Sequence, residues 1–144
     1  MEISESAALA ASEVRVTFGR LRRRLRALAA SDDLTPSQEA VLSRLDKHGV
    51  ASASDLAAAE RVRPQSMAAT VAVLVELGFV QRTPDPDDGR KQLISLTTAG
   101  VERLQGDRQV RQEWLAATLQ EKCTEEQRQT IIQALALLDE VTQA

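Results

Sequence analysis

The sequence has few of the residues from which catalytic and metal sites are usually built. Its 144 residues include one cysteine, one histidine and no tyrosine. A single cysteine cannot close a disulfide within the chain, and one cysteine with one histidine is not a usual zinc ligand set, so we expect no metal site and no cofactor. The sequence also lacks a glycine-rich phosphate loop, paired carboxylates in an apolar setting and a marked pair of nucleophile and base. We therefore predict that the protein is not an enzyme.

Aromatic residues and long apolar runs are scarce as well. Aromatic residues make up 2% of the chain and hydrophobic residues 43%, so the core must be aliphatic and alanine-rich, a composition that favours helices. No run of about 18 apolar residues is available to cross a bilayer. The acidic N-terminal segment lacks the basic and apolar regions of a signal peptide. We therefore expect a cytoplasmic protein.

A surplus of basic residues is also lacking. The 18 lysines and arginines are outnumbered by 21 acidic residues, giving a formal net charge of −3, which taken alone argues against a nucleic-acid partner. The distribution matters more than the sum, because residues 15–26 contain six arginines and no acids, whereas residues 124–144 contain four acids and one arginine. The arginines can form a solvated face that pairs with the acidic C-terminal helix, or they can contact phosphate. Both interpretations stay open.

A helix, a short turn and a second helix are predicted within residues 52–78. Ser52 and Asp55 have the spacing of a capping box, which begins the first helix near Ala53. Pro64 suits the first position of the second helix, and Gly78 supplies the left-handed stop after it. The second helix has an apolar stripe at helical spacing, which predicts its buried face: Met67, Val71 and Leu74.

A two-stranded β-wing is predicted to follow the second helix. Residues 79–83 and 91–96 have the composition of strands, and the run of proline, aspartate and glycine between them is typical of a turn. Ile94 and Leu96 lie two residues apart and therefore share a face, which we expect to pack on the second helix. Two helices and a wing in this order predict a winged helix-turn-helix.

The wing carries a specific series of residues. It runs through Arg82, Asp85-Pro86 and Asp88-Gly89-Arg90, and it ends in Leu96-Thr97. In this order, the series resembles the wing of the MarR family of transcriptional regulators. The similarity extends by motif over residues 34–104, and over the rest of the chain by helix layout only.

The resemblance implies a mainly α fold with a small β-wing, in which a winged helix-turn-helix is joined to N- and C-terminal helices that form a dimerisation domain. Capping patterns at Thr35 and Thr124 begin further helices, and a long helix is expected from Thr98 to about Gln120. We predict an N-terminal dimerisation helix over residues 1–33, a DNA-binding domain over 34–97 and C-terminal dimerisation helices over 98–144. In the family, these helices intertwine around a two-fold axis to form a homodimer.

The second helix of the winged unit is expected to lie in the major groove, where short polar or methyl-bearing side chains read base edges at close range. Gln65 can pair with adenine, Ser66 can bond a base or a phosphate, and Ala69 and Thr70 can meet thymine methyl groups. Arg63 is better placed for phosphate or guanine. The alternative is that these positions are simply exposed helix surface. The predicted DNA contacts on this helix are Arg63, Pro64, Gln65, Ser66, Ala69 and Thr70.

The wing has a different predicted task. Arg90 at its tip is expected to enter the minor groove, whose negative potential attracts guanidinium groups. Asp88 would hold Arg90 in one rotamer through a bidentate pair, and Arg82 and Lys91 are candidates for phosphate contact. The alternative for Asp88 and Arg90 is an exposed ion pair within the turn, worth at most about 1 kcal/mol.

A small effector is implied by the resemblance alone. In the MarR family, phenolic or anionic ligands commonly bind between the dimerisation helices and the winged domain. By this analogy the candidate ligand-binding residues are Phe18, Arg22 and Trp114. Trp114 also suits the core or the dimer interface, where a tryptophan is more common.

Two classes of function follow from these patterns. The first is a ligand-responsive homodimeric transcription factor, most often a repressor in this family, that binds double-stranded DNA at an inverted repeat. The second is a winged-helix protein-interaction module that grips a protein with its weakly charged second helix, an interpretation favoured by Ala69, Val73 and the net negative charge. The salt dependence of DNA binding separates the two.

Overall fold

The computed structural model describes residues 1–29 and 34–144, and that part of the chain folds into six helices and three strands. The observed elements confirm the predicted mainly α fold with a small β-wing. Two compact units are present, residues 1–108 and residues 109–144, and the predicted domain boundary at residue 33 lies outside the described residues. In chain order the elements are α1 (Glu5–Ala29), α2 (Pro36–His48), β1 (Ala51–Ser52), α3 (Ala53–Glu60), α4 (Pro64–Glu76), β2 (Val80–Pro84), β3 (Gln92–Leu96), α5 (Thr98–Lys122) and α6 (Glu125–Thr142).

Two helices begin at complete capping boxes, as predicted. Before α2, the Gln38 backbone N–H donates to Thr35 Oγ1 at 3.2 Å, and the Thr35 N–H donates to Gln38 Oε1 at 2.9 Å. Thr124 and Gln127 make the same pair of bonds at the start of α6. Each box satisfies two backbone donors that a helix end leaves open, so the first turns of α2 and α6 are determined locally.

The start of α3 follows the prediction only in part. The Asp55 N–H donates to Ser52 Oγ at 3.1 Å, which is the first half of the expected capping box. Instead of a return bond from the Asp55 carboxylate, the structure shows Ser54 Oγ at 3.1 Å from Ser52 Oγ. One side-chain cap is enough to begin the helix at Ala53, the predicted residue.

The apolar side of α4 lies at the centre of the core. Met67, Val71 and Leu74 expose 2%, 1% and 0% of their surfaces, which confirms the predicted stripe. They pack with buried side chains from α2, α3, α5 and the sheet. The other core residues are Val41, Leu42, Leu45, Leu56, Ala57, Val80, Ile94 and Leu104.

The sheet has three antiparallel strands in the order β1-β3-β2, and not the two that the sequence pattern predicted. Ala51 and Ser52 form the additional strand by pairing with Ile94 and Leu93 of β3. Two residues are too few to show an alternating pattern, and their pairing depends on an edge that β3 offers only in the folded chain. Ile94 of β3 is 1% exposed, so the sheet packs on the core. The expected packing of β3 on the second helix was wrong, because β3 lies mainly against α2 and α3, whereas β2 is the strand that packs on α4.

The first turn of α5 lies in very close contact with the turn that precedes β2. Thr97 Oγ1 accepts from the Gly100 N–H at 3.1 Å and donates to the Gly78 carbonyl at 2.5 Å. A Cβ placed on Gly100 would come within 2.2 Å of the Phe79 carbonyl oxygen. Because real Cβ atoms do not approach a backbone oxygen this closely, the packing at this point requires glycine.

The unit formed by residues 109–144 is organised at the corner between α5 and α6. Arg128 donates to the backbone carbonyls of Leu119 at 3.3 Å and Cys123 at 2.5 Å, satisfying acceptors at the end of α5. A hydrogen bond from Gln129, and then the interactions with Arg128, hold the pKa of Glu125 below its ordinary value. The resulting stability is present at neutral pH and is lost as the pH falls through the folded-state pKa.

The two glycines within α5 are expected to respond in opposite directions to alanine. Gly100→Ala should lower the free energy of unfolding by about 1–3 kcal/mol, because the added methyl group overpacks the contact with Phe79. Gly106→Ala is the matched control, since nothing lies within 4 Å of its added Cβ, and it should raise stability by about 1 kcal/mol through helix propensity. Urea unfolding of both variants checks this, and a Gly100→Ala protein as stable as the parent would contradict it.

Candidate nucleic-acid interface

The exposed face of α4 carries no charge from Gln65 to Val73, and Glu76 at the end of the helix is its one charged residue. Burial of the Met67, Val71 and Leu74 stripe leaves the opposite side of the helix at the surface. Gln65, Ser66 and Ala69 are exposed, Thr70 is half-buried, and Val73 exposes 39% of its surface. The structure thus brings the four predicted base-contacting residues to one side of α4, where short side chains allow a close approach to base edges.

The N-terminus of α4 is open to an anion. Arg63 is the N-cap residue with φ −67° and ψ 145°, it gives no side-chain hydrogen bond to the helix, and Pro64 occupies the first turn. No acidic residue lies in that turn. The partial positive charge of the helix end and the exposed Arg63 guanidinium therefore act in the same direction, and both favour phosphate.

Thr70 has its hydroxyl hydrogen engaged within the helix. Thr70 Oγ1 donates to the Ser66 backbone carbonyl at 3.1 Å, one turn earlier in α4. A threonine bonded in this way offers its methyl group, and not a free O–H donor, to a partner. This geometry suits the contact with a thymine methyl group that the sequence predicts for Thr70.

The tip of the wing is closed by aspartate side chains. Asp85 Oδ1 accepts from the Asp87 N–H at 2.8 Å, and two backbone bonds of 3.0 Å join Asp85 to Lys91 and Lys91 to Asp88. A hydrogen bond from the backbone N–H two residues on to an aspartate side chain forms an Asx-turn, which commonly orders a short loop. The wing tip is therefore shaped by local hydrogen bonds and not by burial.

Asp88 holds Arg90, but not through the predicted bidentate pair. A single oxygen, Asp88 Oδ1, accepts from the Arg90 backbone N–H at 3.1 Å and from Arg90 Nε at 3.2 Å. Because the residues are only two apart, the turn brings the Arg90 backbone donor and its side-chain Nε to the same carboxylate oxygen. The Arg90 side chain remains 93% exposed, so most of its guanidinium is accessible to a partner.

The four predicted basic contacts are all at the surface. Arg63 lies at the end of α4, Arg82 lies on β2 opposite Ile94, and Lys91 directly precedes β3. Within the described chain, Arg90 is the only member of this group with an acidic partner. The turn before α4 is therefore positive, whereas in the wing the charges of Arg82, Arg90 and Lys91 are balanced by three aspartates, Asp85, Asp87 and Asp88.

Arg61 is a surface cation of the helix-turn-helix that the sequence patterns did not identify as a site. It has φ 55° and ψ 44°, and it is the only non-glycine residue with positive φ in the described chain. Its N–H bonds the Ala58 carbonyl at 3.3 Å, and the Val62 N–H bonds the Ala57 carbonyl at 3.0 Å. Helices that end in this arrangement usually have glycine at the left-handed residue. An arginine at that position is the sequence signal that could have identified Arg61.

The predicted effector residues are distributed over two helices. Phe18 exposes 44% of its surface on α1, and Arg22 on the same helix is exposed. Trp114 is half-buried on α5. The ligand-binding site stays a prediction.

Comparison with known proteins gives concordant matches. A family model described as the MarR family matches residues 34–91. The chain is 40% identical over 139 residues to an HTH-type transcriptional regulator of Mycobacterium bovis, covering 94% of this chain and 97% of that protein. A crystal structure described as a transcriptional regulator protein of Pseudomonas aeruginosa is 32% identical, with a TM-score of 0.82 and 99% coverage of both chains.

The fold also matches a structure that contains nucleic acid. A mutant of MepR from Staphylococcus aureus, bound to an oligodeoxyribonucleotide, has a TM-score of 0.70 with this chain at 20% identity, covering 98% of this chain and 99% of that one. At this identity the match concerns the fold alone.

Removal of the wing-tip guanidinium should weaken DNA binding without unfolding the protein. Arg90→Ala is expected to lower affinity and to reduce the slope of log affinity against log salt by about 1 per protomer, while its exposed ion pair contributes at most about 1 kcal/mol to stability. Asp88→Asn is the matched control, because its amide oxygen can still accept the Arg90 bonds and the repulsive charge is removed. Salt-titrated binding and thermal unfolding measure both effects, and a loss of stability with unchanged binding would overturn the prediction.

Proposed function

The chain belongs to the MarR family of DNA-binding transcriptional regulators, and from this premise we propose that it acts as a homodimeric repressor that binds an inverted-repeat operator and responds to a small ligand. The observation that carries the proposal is the exposed face of α4, uncharged over residues 65–73, beside a set of exposed cations. In the proposed complex, α4 lies in the major groove and the wing tip lies in the adjacent minor groove.

The proposed division of labour follows the chemistry of the side chains. Gln65 can give a donor and an acceptor to adenine, and Ser66 can bond a base or a phosphate. The methyl groups of Ala69 and Thr70 suit thymine. Arg63, Arg82 and Lys91 supply phosphate contacts, while Arg90 suits the narrow minor groove.

The homodimer is supported by apolar surface that a single chain leaves open. No residue of α6 is buried, and three of its large apolar residues, Ile132, Leu137 and Val141, expose 58%, 64% and 67% of their surfaces. On α1, Leu9 is 63% exposed. Exposed apolar side chains on two helices favour an interaction surface, and a second copy of the chain is the partner that the family resemblance implies.

Two-fold symmetry determines the form of the proposed operator. Two copies of α4 related by a two-fold axis meet equivalent half-sites on opposite strands, about one helical turn apart, so the target is an inverted repeat. Repression then follows from occupancy of this site. A small phenolic or anionic effector would regulate it only if it binds the DNA-competent and incompetent forms with different affinity.

A second candidate function is a winged-helix module that grips another protein. The apolar and uncharged surface of Ala69 and Val73 favours it, as does the net charge of −3. The exposed arginines at the helix mouth and the wing favour DNA.

We further propose that the chain has no catalytic activity and acts in the cytoplasm. Within the described residues, no cluster of potential metal ligands and no helix capable of crossing a membrane is present.

Selection from a random DNA pool tests the proposed function. The purified protein is incubated with the pool at ~150 mM salt, where non-specific attraction to phosphate is reduced. We expect recovery of a short inverted repeat with half-sites about one turn apart. Recovery of only salt-sensitive, sequence-independent binding would contradict the proposal and favour the protein-interaction module.

The contribution of Thr70 can be tested on the duplex that selection yields. Replacing thymine by deoxyuridine removes only the C5 methyl group, and at a contacted position it should weaken binding by about fourfold, from ~0.8 kcal/mol per buried carbon. Thr70→Ser should abolish this sensitivity at one position, whereas Thr70→Val, which keeps a methyl group and removes the hydroxyl, should preserve it. Sensitivity that follows the hydroxyl and is lost in Thr70→Val would show that the methyl assignment is wrong.

A further inference from the structure

Arg61 occupies a conformation that its side chain does not favour. With φ 55° and ψ 44° at the end of α3, it stands where a glycine would meet no steric conflict with a Cβ atom. Backbone strain of this kind tends to occur at functional sites, where the side chain performs a task that a better-suited residue cannot. The conformation of Arg61 therefore points to a functional role for its guanidinium group.

The guanidinium of Arg61 is unpaired in the described structure. Its side chain is exposed, and no described acidic residue lies within ion-pair distance. Other arginines of the same unit are paired, including Arg108 with Asp46. An arginine held at the surface without a partner keeps all its donors available, and its planar fork suits phosphate oxygens.

The acidic residue next to Arg61 is held by another side chain. Glu60 Oε1 accepts from Arg44 Nε of α2 at 2.7 Å. The Glu60 carboxylate is thus already neutralised within the domain. An approaching phosphate at Arg61 therefore meets a weaker repulsion than the sequence alone suggests.

The turn between α3 and α4 determines where Arg61 lies. It is the first residue after α3 and stands three residues before Pro64, with which α4 begins. Arg63, in the same turn, is exposed, and the first turn of α4 has no acidic residue. Arg61 and Arg63 therefore place two cations beside the open end of the helix that the proposed function assigns to the major groove.

We propose that Arg61 binds a backbone phosphate of the DNA beside the groove that α4 enters, and that it positions α4 on the duplex. This inference rests on the proposed function. The contact is electrostatic and independent of base sequence. On this proposal, an arginine stands at this left-handed position because it strengthens DNA binding, although glycine would stabilise the fold more.

The test uses the full-length protein and three substitutions of one residue. Arg61→Gly removes the charge and relieves the conformation, Arg61→Asn removes the charge with a residue that tolerates left-handed φ, and Arg61→Lys retains the charge. Affinity for the selected duplex is measured over a series of salt concentrations, and the urea midpoint is measured for each protein.

The expected result has opposite signs for stability and binding. Arg61→Gly should raise the urea midpoint, lower affinity, and reduce the slope of log affinity against log salt by about 0.9 per protomer. Arg61→Asn should lower affinity and slope to the same extent as Arg61→Gly, whereas Arg61→Lys should preserve both. Unchanged affinity and slope in the glycine and asparagine variants would overturn the proposal. Lower affinity with an unchanged slope would also overturn it, because it would show that the turn conformation and not the charge matters.

The two proposals fail in distinguishable ways. If the selection yields no inverted repeat, the proposed function fails, but the same salt series can be run on a duplex of random sequence, because a phosphate contact requires no particular bases. If the parent and the Arg61→Gly variant have the same slope on the random duplex, the phosphate contact is rejected whatever the outcome of the selection.

Discussion

Met67, Val71 and Leu74 pack one side of α4 into the core with at most 2% of each surface exposed, and the orientation of the candidate interface depends on this burial. Complete burial of such side chains contributes about 1.5–3 kcal/mol each, which together is comparable with the net stability of a small domain, about 5–15 kcal/mol. Rotation of α4 about its axis would expose them. The uncharged face with Gln65 and Ala69 is therefore directed outward for as long as the domain is folded.

The base of the wing and the first turn of α5 meet at a crowded point beside this core. Thr97 bonds the Gly78 carbonyl, the Thr97 N–H donates to the Phe79 carbonyl at 3.0 Å, and Gly100 lies against the same carbonyl. The base of the wing and the first turn of α5 therefore move together. This contact is a physical connection between α5 and the wing strand that carries Arg82.

Features that depend on neighbouring residues could be predicted from the sequence, whereas features that depend on distant ones could not. The predicted starts of α2, α4 and α6 were confirmed, because capping residues and proline act within one turn. β1 was missed because its two residues form a strand only when β3 is beside them. The single-oxygen bond of Asp88 and the positive φ of Arg61 depend on backbone geometry that residue types do not specify. The contacts of the candidate site with DNA and effector stay predictions.

In the proposed complex, two copies of this winged unit bind one duplex, with α4 in the major groove and the wing in the minor groove. Hydroxyl-radical footprinting on a duplex carrying the selected repeat tests it most directly, because the radical attacks the sugars along the minor groove. We expect two equivalent protected segments related by a two-fold axis, each with a minor-groove region that becomes exposed when Arg90 is replaced by alanine. A single unsymmetrical segment, or protection that Arg90 does not affect, would contradict it.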